Sequence, residues 1–328
     1  MKICVIGSGK IAKEVIGALH DEAPEIGVTG IFAHSNKATA EKIAAEYAIP
    51  EVYTDYARLL AEDTADFVYV ANVNTAHYDY VRQALLAGRN VIVEKPFTST
   101  LREATELATL ARAKGLFLFE AVTTLHLPNF RLCKELLPKV APVRIVRCNY
   151  SQYSSRYDRY LKGDVAPAFN PELGGGALND LNIYNINAVV GLLGKPTAEC
   201  YFANRGFNGV DTSGVLIMQY PGLTAACAAA KDSASLSGIT IQGEKGTIAI
   251  PAAPNEMTRL SLTVNGETQE WQQNRYASRL IHEFKDFERI YQEHDHAAMD
   301  HWLDTSLSVI QVLEKAREGN HRPMSGKQ

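Results

Sequence analysis

Short apolar runs alternate with amphipathic segments along the first third of the chain. The runs are rich in β-branched and aromatic residues, as buried strands are, and cover residues 2–6, 28–33, 65–71, 90–93 and 116–120. The amphipathic segments have apolar side chains at helical spacing and cover residues 10–19, 37–47, 78–87 and 101–114. This alternation predicts an α/β domain with a doubly wound parallel sheet at residues 1–121.

The pattern changes after residue 121. A helix near residues 129–137 precedes a strand at Val143–Ser151, and Gly174-Gly175-Gly176 opens a helix that ends near residue 193. From residue 198 to about 271 one strand follows another, separated by turn signals such as Asn265-Gly266. Two helices follow, at residues 278–292 and 299–318, and the last few residues are expected to be disordered. Residues 122–328 are thus predicted to form a C-terminal α+β domain with a large open, mainly antiparallel sheet.

The open sheet bears on self-association. Helices are predicted on one of its faces, and a sheet of this size usually needs something on the other. We therefore expect a homodimer or homotetramer that associates through the C-terminal sheet.

Charge and cysteine content narrow the class of protein. The net charge of −4 argues against binding to nucleic acid or anionic membranes, and no apolar stretch approaches the roughly 20 residues that span a bilayer. The N-terminus is already a strand, which leaves no room for a signal peptide. The five cysteines are scattered, so we expect reduced, buried thiols in a cytoplasmic protein without a metal site.

A glycine-rich turn follows the first strand with the pattern Gly7-x-Gly9-x-x-Ala12, and Ser8, Lys10 and Ile11 complete it. Glycines there permit a tight turn and the close approach of a pyrophosphate to a helix N-terminus, where N–H groups and the dipole favour anions. The turn heads a strand–helix array, which is the context that the dinucleotide-binding fingerprint requires. The alternative is a merely structural turn.

The end of the second strand bears on the choice of cofactor. A site for NAD usually has an acidic residue there for the ribose hydroxyls, whereas this chain has Ala33-His34-Ser35-Asn36-Lys37. His34, Ser35 and Lys37 are each able to donate to a 2′-phosphate, so NADP is favoured over NAD. An ordinary polar turn before a helix has the same composition.

Polar residues also follow the third and fourth predicted strands. Asn72, Asn74 and His77 come after the third, where they either line the nicotinamide side of a pocket or cap the next helix. After the fourth, Glu94-Lys95-Pro96 places a carboxylate, an ammonium and a proline where ligands of parallel sheets bind. Lys95 either forms an ion pair with Glu94 or hydrogen-bonds a reacting hydroxyl.

Asp180 and Tyr184 lie four residues apart on the helix after the triple glycine, hence on one face. A phenol can transfer a proton to or from a carbonyl or hydroxyl, and a carboxylate can orient it. Tyrosine and lysine have reference pKa values of about 10 and 10.4, so proton transfer at neutral pH requires the pKa of each side chain to be lowered. Taken alone, such a pair is also typical of a hydrogen-bonded surface pair.

Substrate residues are harder to identify. Aromatic and guanidinium groups suit a polyhydroxylated ring, and the candidates are His126, Tyr153, Arg156, Tyr157 and Tyr160. A crossover loop packed by its own tyrosines has the same composition. The cluster of His and Asp at residues 294–301 lacks zinc-type spacing and is interpreted as a solvated helix cap.

Together these motifs resemble the Gfo/Idh/MocA oxidoreductases, the superfamily of glucose–fructose oxidoreductase and inositol dehydrogenase. The resemblance covers nearly the whole chain, and its segments read GSGKIA, FVYVANVNTAHYDYVRQALLAGRNVIVEKP, GGGALNDLNIY and IQGEKGTIAI. It implies a Rossmann domain and an open-faced sheet domain, with the active site in the cleft between them. Tyr184 resembles the branch that has tyrosine where many members have histidine, including the dihydrodiol and xylose dehydrogenases.

The resemblance also implies roles. Lys95, in a cis Lys95-Pro96 peptide, would hydrogen-bond the reacting hydroxyl and help to remove its proton, and Asp180 would match the family's helix aspartate. Two residues depart from the family pattern: Val73 replaces a proline and is expected to loosen the nicotinamide-side loop, and Asn182 replaces a glycine and is expected in the cleft wall.

The implied activity is reversible hydride transfer between NADP or NAD and a secondary alcohol of a sugar, cyclitol or related diol. Two alternatives stay open. One is a non-catalytic NAD(P)-binding regulator, which has no need of Lys95, Asp180 and Tyr184 together. The other is a glycosidase that oxidises its substrate only transiently and returns the cofactor to its starting state.

Overall fold

A computed structural model describes residues 1–319 and divides the chain into two compact units. The first unit contains Met1–Ala121 and Tyr276–Leu307, and the second contains Val122–Arg275 and those of the described residues that follow Leu307. The predicted disorder of the last few residues concerns residues outside those described. None of the helices in residues 1–319 has an apolar stretch long enough to cross a bilayer.

Helices and strands alternate up to Ala121, and most of the later strands follow one another directly. The helices are α1 Lys10–Glu22, α2 Lys37–Glu46, α3 Tyr56–Glu62, α4 His77–Leu86, α5 Leu101–Lys114, α6 Thr123–His126, α7 Pro128–Val140, α8 Tyr157–Leu161, α9 Ile183–Leu193, α10 Leu280–Gln292 and α11 His296–Gly319. The strands are β1 Lys2–Ile6, β2 Gly27–Phe32, β3 Glu51–Tyr53, β4 Phe67–Val70, β5 Asn90–Glu94, β6 Leu118–Ala121, β7 Val143–Ser151, β8 Ala198–Arg205, β9 Asp211–Tyr220, β10 Leu223–Ala230, β11 Gly238–Gly243, β12 Gly246–Ile250, β13 Leu260–Val264 and β14 Glu267–Trp271.

The first unit contains a six-stranded sheet in the order β3-β2-β1-β4-β5-β6, and every pair is parallel. This is the strand order of the dinucleotide-binding fold, so the predicted doubly wound sheet is confirmed. The strand β3 and the helix α3 are not predicted from the sequence pattern. The loops after β1, β4 and β5 emerge at one edge of the sheet because the carboxyl ends of parallel strands lie together.

The helix α10 belongs to the first unit, whereas the sequence analysis placed it in the second domain. Its aromatic side chains explain the difference. Phe284 packs edge-on against Tyr69 of β4 with ring centroids 5.3 Å apart, and Phe287 stacks on Phe119 of β6 at 4.6 Å. Burial of such rings contributes a few kcal/mol each, which favours this position for α10.

The second helix of this region, α11, begins at His296, three residues before the predicted start. The carboxylate of Asp295 accepts a hydrogen bond from the N–H of Ala298 at 2.9 Å, so this part of the His and Asp cluster is a helix cap, as interpreted. His296 stacks on Phe117 with ring centroids 4.2 Å apart. The boundary between the two units falls inside α11, after Leu307.

The second unit is built on an eight-stranded sheet in the order β14-β13-β12-β11-β7-β10-β9-β8. All of its strand pairs are antiparallel except β7 with β10, so the predicted open, mainly antiparallel sheet is confirmed. The helices α7 and α9 pack on one face. On β7, the buried Val146 and Cys148 point to that face, and the exposed Ile145 and Arg147 alternate with them.

The five cysteines are free thiols, as expected. Cys4, Cys133, Cys148 and Cys227 are buried. Cys200 is exposed, so the prediction that all five thiols are buried is wrong for this residue, which lies on the same face of β8 as the exposed Phe202.

Candidate active site

The turn between β1 and α1 has room for an anion. Gly7 has φ +119°, and a Cβ on it would meet the carbonyl oxygen of Ala71 at 2.6 Å, so only glycine fits. Gly9 is the N-cap residue of α1, and no side chain caps this helix. A Cβ on Gly9 would meet nothing within 4 Å. The uncapped N-terminus and the open space beside Gly9 fit the pyrophosphate of a dinucleotide.

The side chains after β2 differ in what they already bind. Asn36 accepts hydrogen bonds from the N–H and the hydroxyl of Thr39 and so caps α2. Lys37 forms an exposed ion pair with Glu41, 3.2 Å apart. His34 and Ser35 are exposed, and no acidic residue stands at this strand end.

His77 lies at the start of α4 and is fully buried. Its Nδ1–H donates to the carbonyl oxygen of Pro96 at 2.9 Å, and Nε2 lies 3.4 Å from the carbonyl oxygen of Asn72. Burial lowers the pKa of this imidazole to about 4, so it is neutral at physiological pH. His77 therefore links the loops after β4 and β5 through their backbones. Asn72 and Asn74 of the first loop are half-buried.

Lys95 follows β5 and is half-buried, and its peptide bond to Pro96 is cis, as the resemblance implied. The nearby Phe97 donates its N–H to Glu120 Oε1 at 2.8 Å. Glu94 points into the unit, where its carboxylate accepts the hydroxyl of Tyr69 at 2.6 Å. The lysine thus stands on backbone that is anchored on both sides.

Three buried carboxyl groups lie beneath this loop: Glu94, Glu120 and Glu283. Burial is the main cause that raises the pKa of each, and for Glu120 the value rises to about 7. The negative charge of Glu94 adds to the increase at Glu120 and at Glu283. The charge of Glu94 therefore favours the neutral form of Glu120 and of Glu283.

Glu120→Gln is expected to flatten the pH dependence of stability. The pKa of Glu120 rises from 4.5 to about 7 on folding. The contribution of this carboxyl group to the free energy of unfolding is therefore present below pH 4.5 and is lost as the pH rises through 7. A shift of this size corresponds to roughly 3 kcal/mol of unfolding free energy. Urea denaturation at pH 5 and pH 8 measures it. The exposed Glu51→Gln is the control, and a variant with the wild-type pH dependence would contradict the prediction.

The helix that carries Asp180 begins with a π-helical turn, Leu178–Asn182, and continues as α9. Its start is capped from β9: the carboxylate of Asp211 accepts the N–H of Leu178 and the hydroxyl of Tyr201, both at 2.7 Å. Gly176, with φ +119°, precedes the turn, and any side chain on it would overlap the Asp211 carboxylate. Gly176 therefore lets the Asp211 carboxylate reach the helix N-terminus.

Asp180 and Tyr184 occupy different kinds of helical turn. Asp180 lies in the π turn, and its Oδ2 accepts from Lys231 Nζ at 2.7 Å. Tyr184 lies in the first turn of α9 and is largely buried, with its ring 5.8 Å from that of Tyr150. Lys231 was absent from the sequence analysis, since a lysine that follows an apolar strand carries no motif of its own.

Asn182 was expected in a cleft wall, and this prediction is wrong. Its side chain is fully buried, where it donates to the carbonyl oxygen of Cys227 at 3.1 Å and accepts from Asn185 at 2.8 Å. Asn185 also donates to the carbonyl oxygen of Ala228. Hydrogen bonds offset much of the cost of burying an amide, and these bonds to Cys227 and Ala228 anchor the helix to β10.

The tyrosine loop packs largely on itself. Tyr153 donates to the carboxylate of Asp158 at 2.7 Å, and its ring meets that of Tyr157 edge-on. Tyr157 stacks on the buried Tyr160, which stacks on Phe169 at 4.9 Å. This packing matches the alternative of a self-packed loop. Of the remaining substrate candidates, Arg156 is exposed and His126 is buried at the end of α6.

Family models match both units. The model of the oxidoreductase family with an NAD-binding Rossmann fold matches residues 1–122, and that of the GFO/IDH/MocA C-terminal domain matches residues 139–249. The oxidoreductase YgjR of Escherichia coli is 32% identical over 316 residues, which cover 96% of this chain and 94% of that protein. The chain belongs to the Gfo/Idh/MocA oxidoreductase family.

Two further proteins resemble this family member along its length. The scyllo-inositol 2-dehydrogenase (NADP(+)) IolU of Bacillus subtilis is 30% identical, with 97% of this chain and 96% of that one covered. A crystal structure of the 3-ketoreductase KijD10 from Actinomadura kijaniata has a TM-score of 0.84 at 22% identity, with 97% of each chain covered. This second likeness concerns the fold.

Membership of the Gfo/Idh/MocA family confirms several predictions. The chain is an oxidoreductase that acts with NAD or NADP, and both units have the predicted fold. A bound dinucleotide would supply or accept the hydride. The residues fit such a cofactor, because Gly7 and Gly9 open the turn to α1, and Ser8, Lys10, Ile11 and Ala12 form the turn and first helical residues beside it.

Proposed function

We propose that this Gfo/Idh/MocA oxidoreductase transfers a hydride reversibly between NADP or NAD and a secondary alcohol or ketone of a cyclitol, sugar or related diol. The observation that carries the proposal is the anchoring of Lys95, since the loop that carries it is held by buried His77 and Glu120. A cyclitol is the first substrate class to test, because IolU, named an inositol dehydrogenase, is similar along almost the whole chain.

The proposed chemistry uses Lys95, Tyr184 and Asp180 in one reaction. During oxidation, Lys95 hydrogen-bonds the substrate hydroxyl through its amine and takes the proton as the carbinol carbon loses its hydride. The Tyr184 hydroxyl shares that proton, and the Asp180 carboxylate orients the donors. During reduction the same groups return the proton to the developing alkoxide. Glu94 is engaged with Tyr69, so it serves the loop rather than the reaction.

We also propose a preference for NADP over NAD. An acidic residue after β2 would repel a 2′-phosphate, and the exposed His34 and Ser35 stand there instead. Lys37 is paired only with an exposed Glu41, a weak interaction that a phosphate is able to displace. We propose direct cofactor contacts for Asn72, Asn74 and Lys95 as well, and an indirect role for His77 and Glu94.

An absorbance assay at the nicotinamide band tests the function. The purified protein is incubated with NADP+ or NAD+ and a panel of inositols, aldoses and cyclic diols, and with the reduced cofactors and the matching ketones. Reduction of NADP+ by a cyclitol is the expected result. Tight cofactor binding without turnover on any substrate would favour the regulator, and release of nitrophenol from a glycoside without net absorbance change of the cofactor would favour the glycosidase.

We propose a cytoplasmic homo-oligomer that associates through the uncovered face of the C-terminal sheet. The unpaired thiols fit a reducing compartment. On that face Phe202 and Val215 are exposed and lie opposite each other on β8 and β9, with Ile145 exposed on β7. Phe202→Arg is expected to lower the mass found by sedimentation, whereas Leu86→Arg on the first unit is not. A monomeric wild type would contradict the proposal.

A further inference from the structure

Lys231 is a lysine with almost no exposed surface. It follows β10, and its side chain is 3% exposed. Fully buried lysines are rare in proteins unless they are paired, because removing an ammonium from water is strongly unfavourable. Its backbone is fixed as well, since its N–H donates to the carbonyl oxygen of Thr212 at 2.8 Å.

Three groups surround the Lys231 ammonium. Nζ donates to Asp180 Oδ2 and to the carbonyl oxygen of Ala168, both at 2.7 Å, and it lies 4.7 Å from the centre of the Phe169 ring. A carboxylate, a carbonyl and an aromatic face are the groups that stabilise a desolvated cation. Ala168 and Phe169 belong to a short 3₁₀ turn, Pro167–Phe169, that precedes the triple glycine.

The pair is asymmetric in exposure. The side chain of Asp180 is 37% exposed, whereas that of Lys231 is 3% exposed. Solvent and small molecules therefore reach the Asp180 carboxylate, whereas the Lys231 ammonium lies in the protein interior. An ammonium in this position restricts the rotation of the Asp180 side chain through a charge-assisted hydrogen bond.

The surrounding residues make this arrangement rigid. Gly175 packs so closely on the 3₁₀ turn that a Cβ on it would lie 2.5 Å from the carbonyl oxygen of Pro167. Asp232, next in the chain, accepts the hydroxyls of Thr212 and Ser213 at 2.7 and 2.8 Å. The backbone on either side of the Lys231 ammonium is thus fixed by packing and by side-chain hydrogen bonds.

We propose that Lys231 is a positioning residue of the oxidoreductase, which holds the Asp180 carboxylate in the orientation that its proposed role requires. The proposal rests on the catalytic role proposed for Asp180. Lys231 itself contacts neither substrate nor cofactor. A purely structural lysine would affect stability alone, whereas a positioning lysine affects turnover through Asp180 and loses that effect once the carboxylate is gone.

A double-mutant cycle separates these roles. The variants are Lys231→Met, Asp180→Asn and their combination, assayed for kcat, KM and cofactor affinity, with the exposed Lys162→Met as control. Lys231→Met is expected to lower kcat by about 10²-fold with little change in cofactor affinity, as misplacement of a catalytic group does. In the Asp180→Asn background the same change is expected to lower kcat by less than about threefold.

The outcomes decide between the roles. If Lys231→Met lowers kcat by the same factor in both backgrounds, or leaves kcat unchanged in a folded protein, the inference is wrong. Should Lys231→Met fail to fold, Lys231→Arg replaces it in the cycle, because it keeps the charge and alters the geometry. The proposed function fails separately, if Asp180→Asn and Lys95→Ala both keep wild-type turnover.

Discussion

Lys95→Ala is expected to lower kcat by about 10²–10⁴-fold, the usual contribution of a general acid or base. The loop should survive the change. Its anchors are the carbonyl oxygen of Pro96, bound by His77, and the N–H of Phe97, bound by Glu120, and neither involves the lysine side chain. Cofactor affinity is expected to stay within a few-fold of wild type, because Lys95 is one of several residues proposed to contact the cofactor.

Steady-state kinetics and titration of the reduced cofactor, followed by its fluorescence, measure both quantities. The matched control is Lys37→Ala, an exposed lysine of the same unit that is paired with Glu41. It is expected to keep kcat and to weaken NADP affinity only. Retention of more than about a third of wild-type kcat in Lys95→Ala would remove the lysine from the mechanism.

Gly9→Ala is expected to weaken cofactor binding without affecting stability, whereas Gly7→Ala is expected to lower stability. A Cβ at Gly9 enters open space, so Gly9→Ala should melt like wild type without cofactor and lose about 10²-fold in NADP affinity, because the Cβ takes the place of the pyrophosphate. Gly7 has φ +119°, and a Cβ on it would meet the carbonyl oxygen of Ala71. Gly7→Ala is therefore expected to lose roughly 1–3 kcal/mol or more of unfolding free energy.

Thermal melts of Gly9→Ala and Gly7→Ala with and without NADP test these expectations. Wild type gains about 2.7 kcal/mol when the ligand stands at 100 times its dissociation constant. Gly9→Ala is expected to show the wild-type melt without cofactor and a much smaller gain with it. An equal gain in wild type and Gly9→Ala would show that the dinucleotide does not approach this turn.

The long periodic elements of both units follow from the sequence, whereas short elements and distant contacts do not. The strand Glu51–Tyr53 has three residues, too few to show a period. The amphipathic pattern of α10 predicts a helix but does not say which sheet its Phe284 and Phe287 cover. In sequence, Lys231 lies 51 residues from Asp180, and only the folded backbone brings the two together.

The candidate site shows the same division. The glycine turn, Lys95 and the Asp180 helix are recognisable because each follows a strand end or a glycine motif. The role of His77 as a buried link between loops is not, since its hydrogen bond to Pro96 depends on which way α4 faces. The sequence pattern does not predict the π turn at Leu178–Asn182 either, because the residue that caps it, Asp211, comes from the distant strand β9.

The return of Tyr276–Leu307 to the first unit has a consequence for how the chain folds on the ribosome. All six strands of the parallel sheet have been synthesised by Ala121, but Phe119 and Tyr69 receive their partners only when α10 emerges. Translation of the intervening Val122–Arg275 takes roughly 8–30 s at typical rates. For that interval the nascent sheet exposes aromatic surface, and exposed apolar surface of this kind promotes aggregation and chaperone binding.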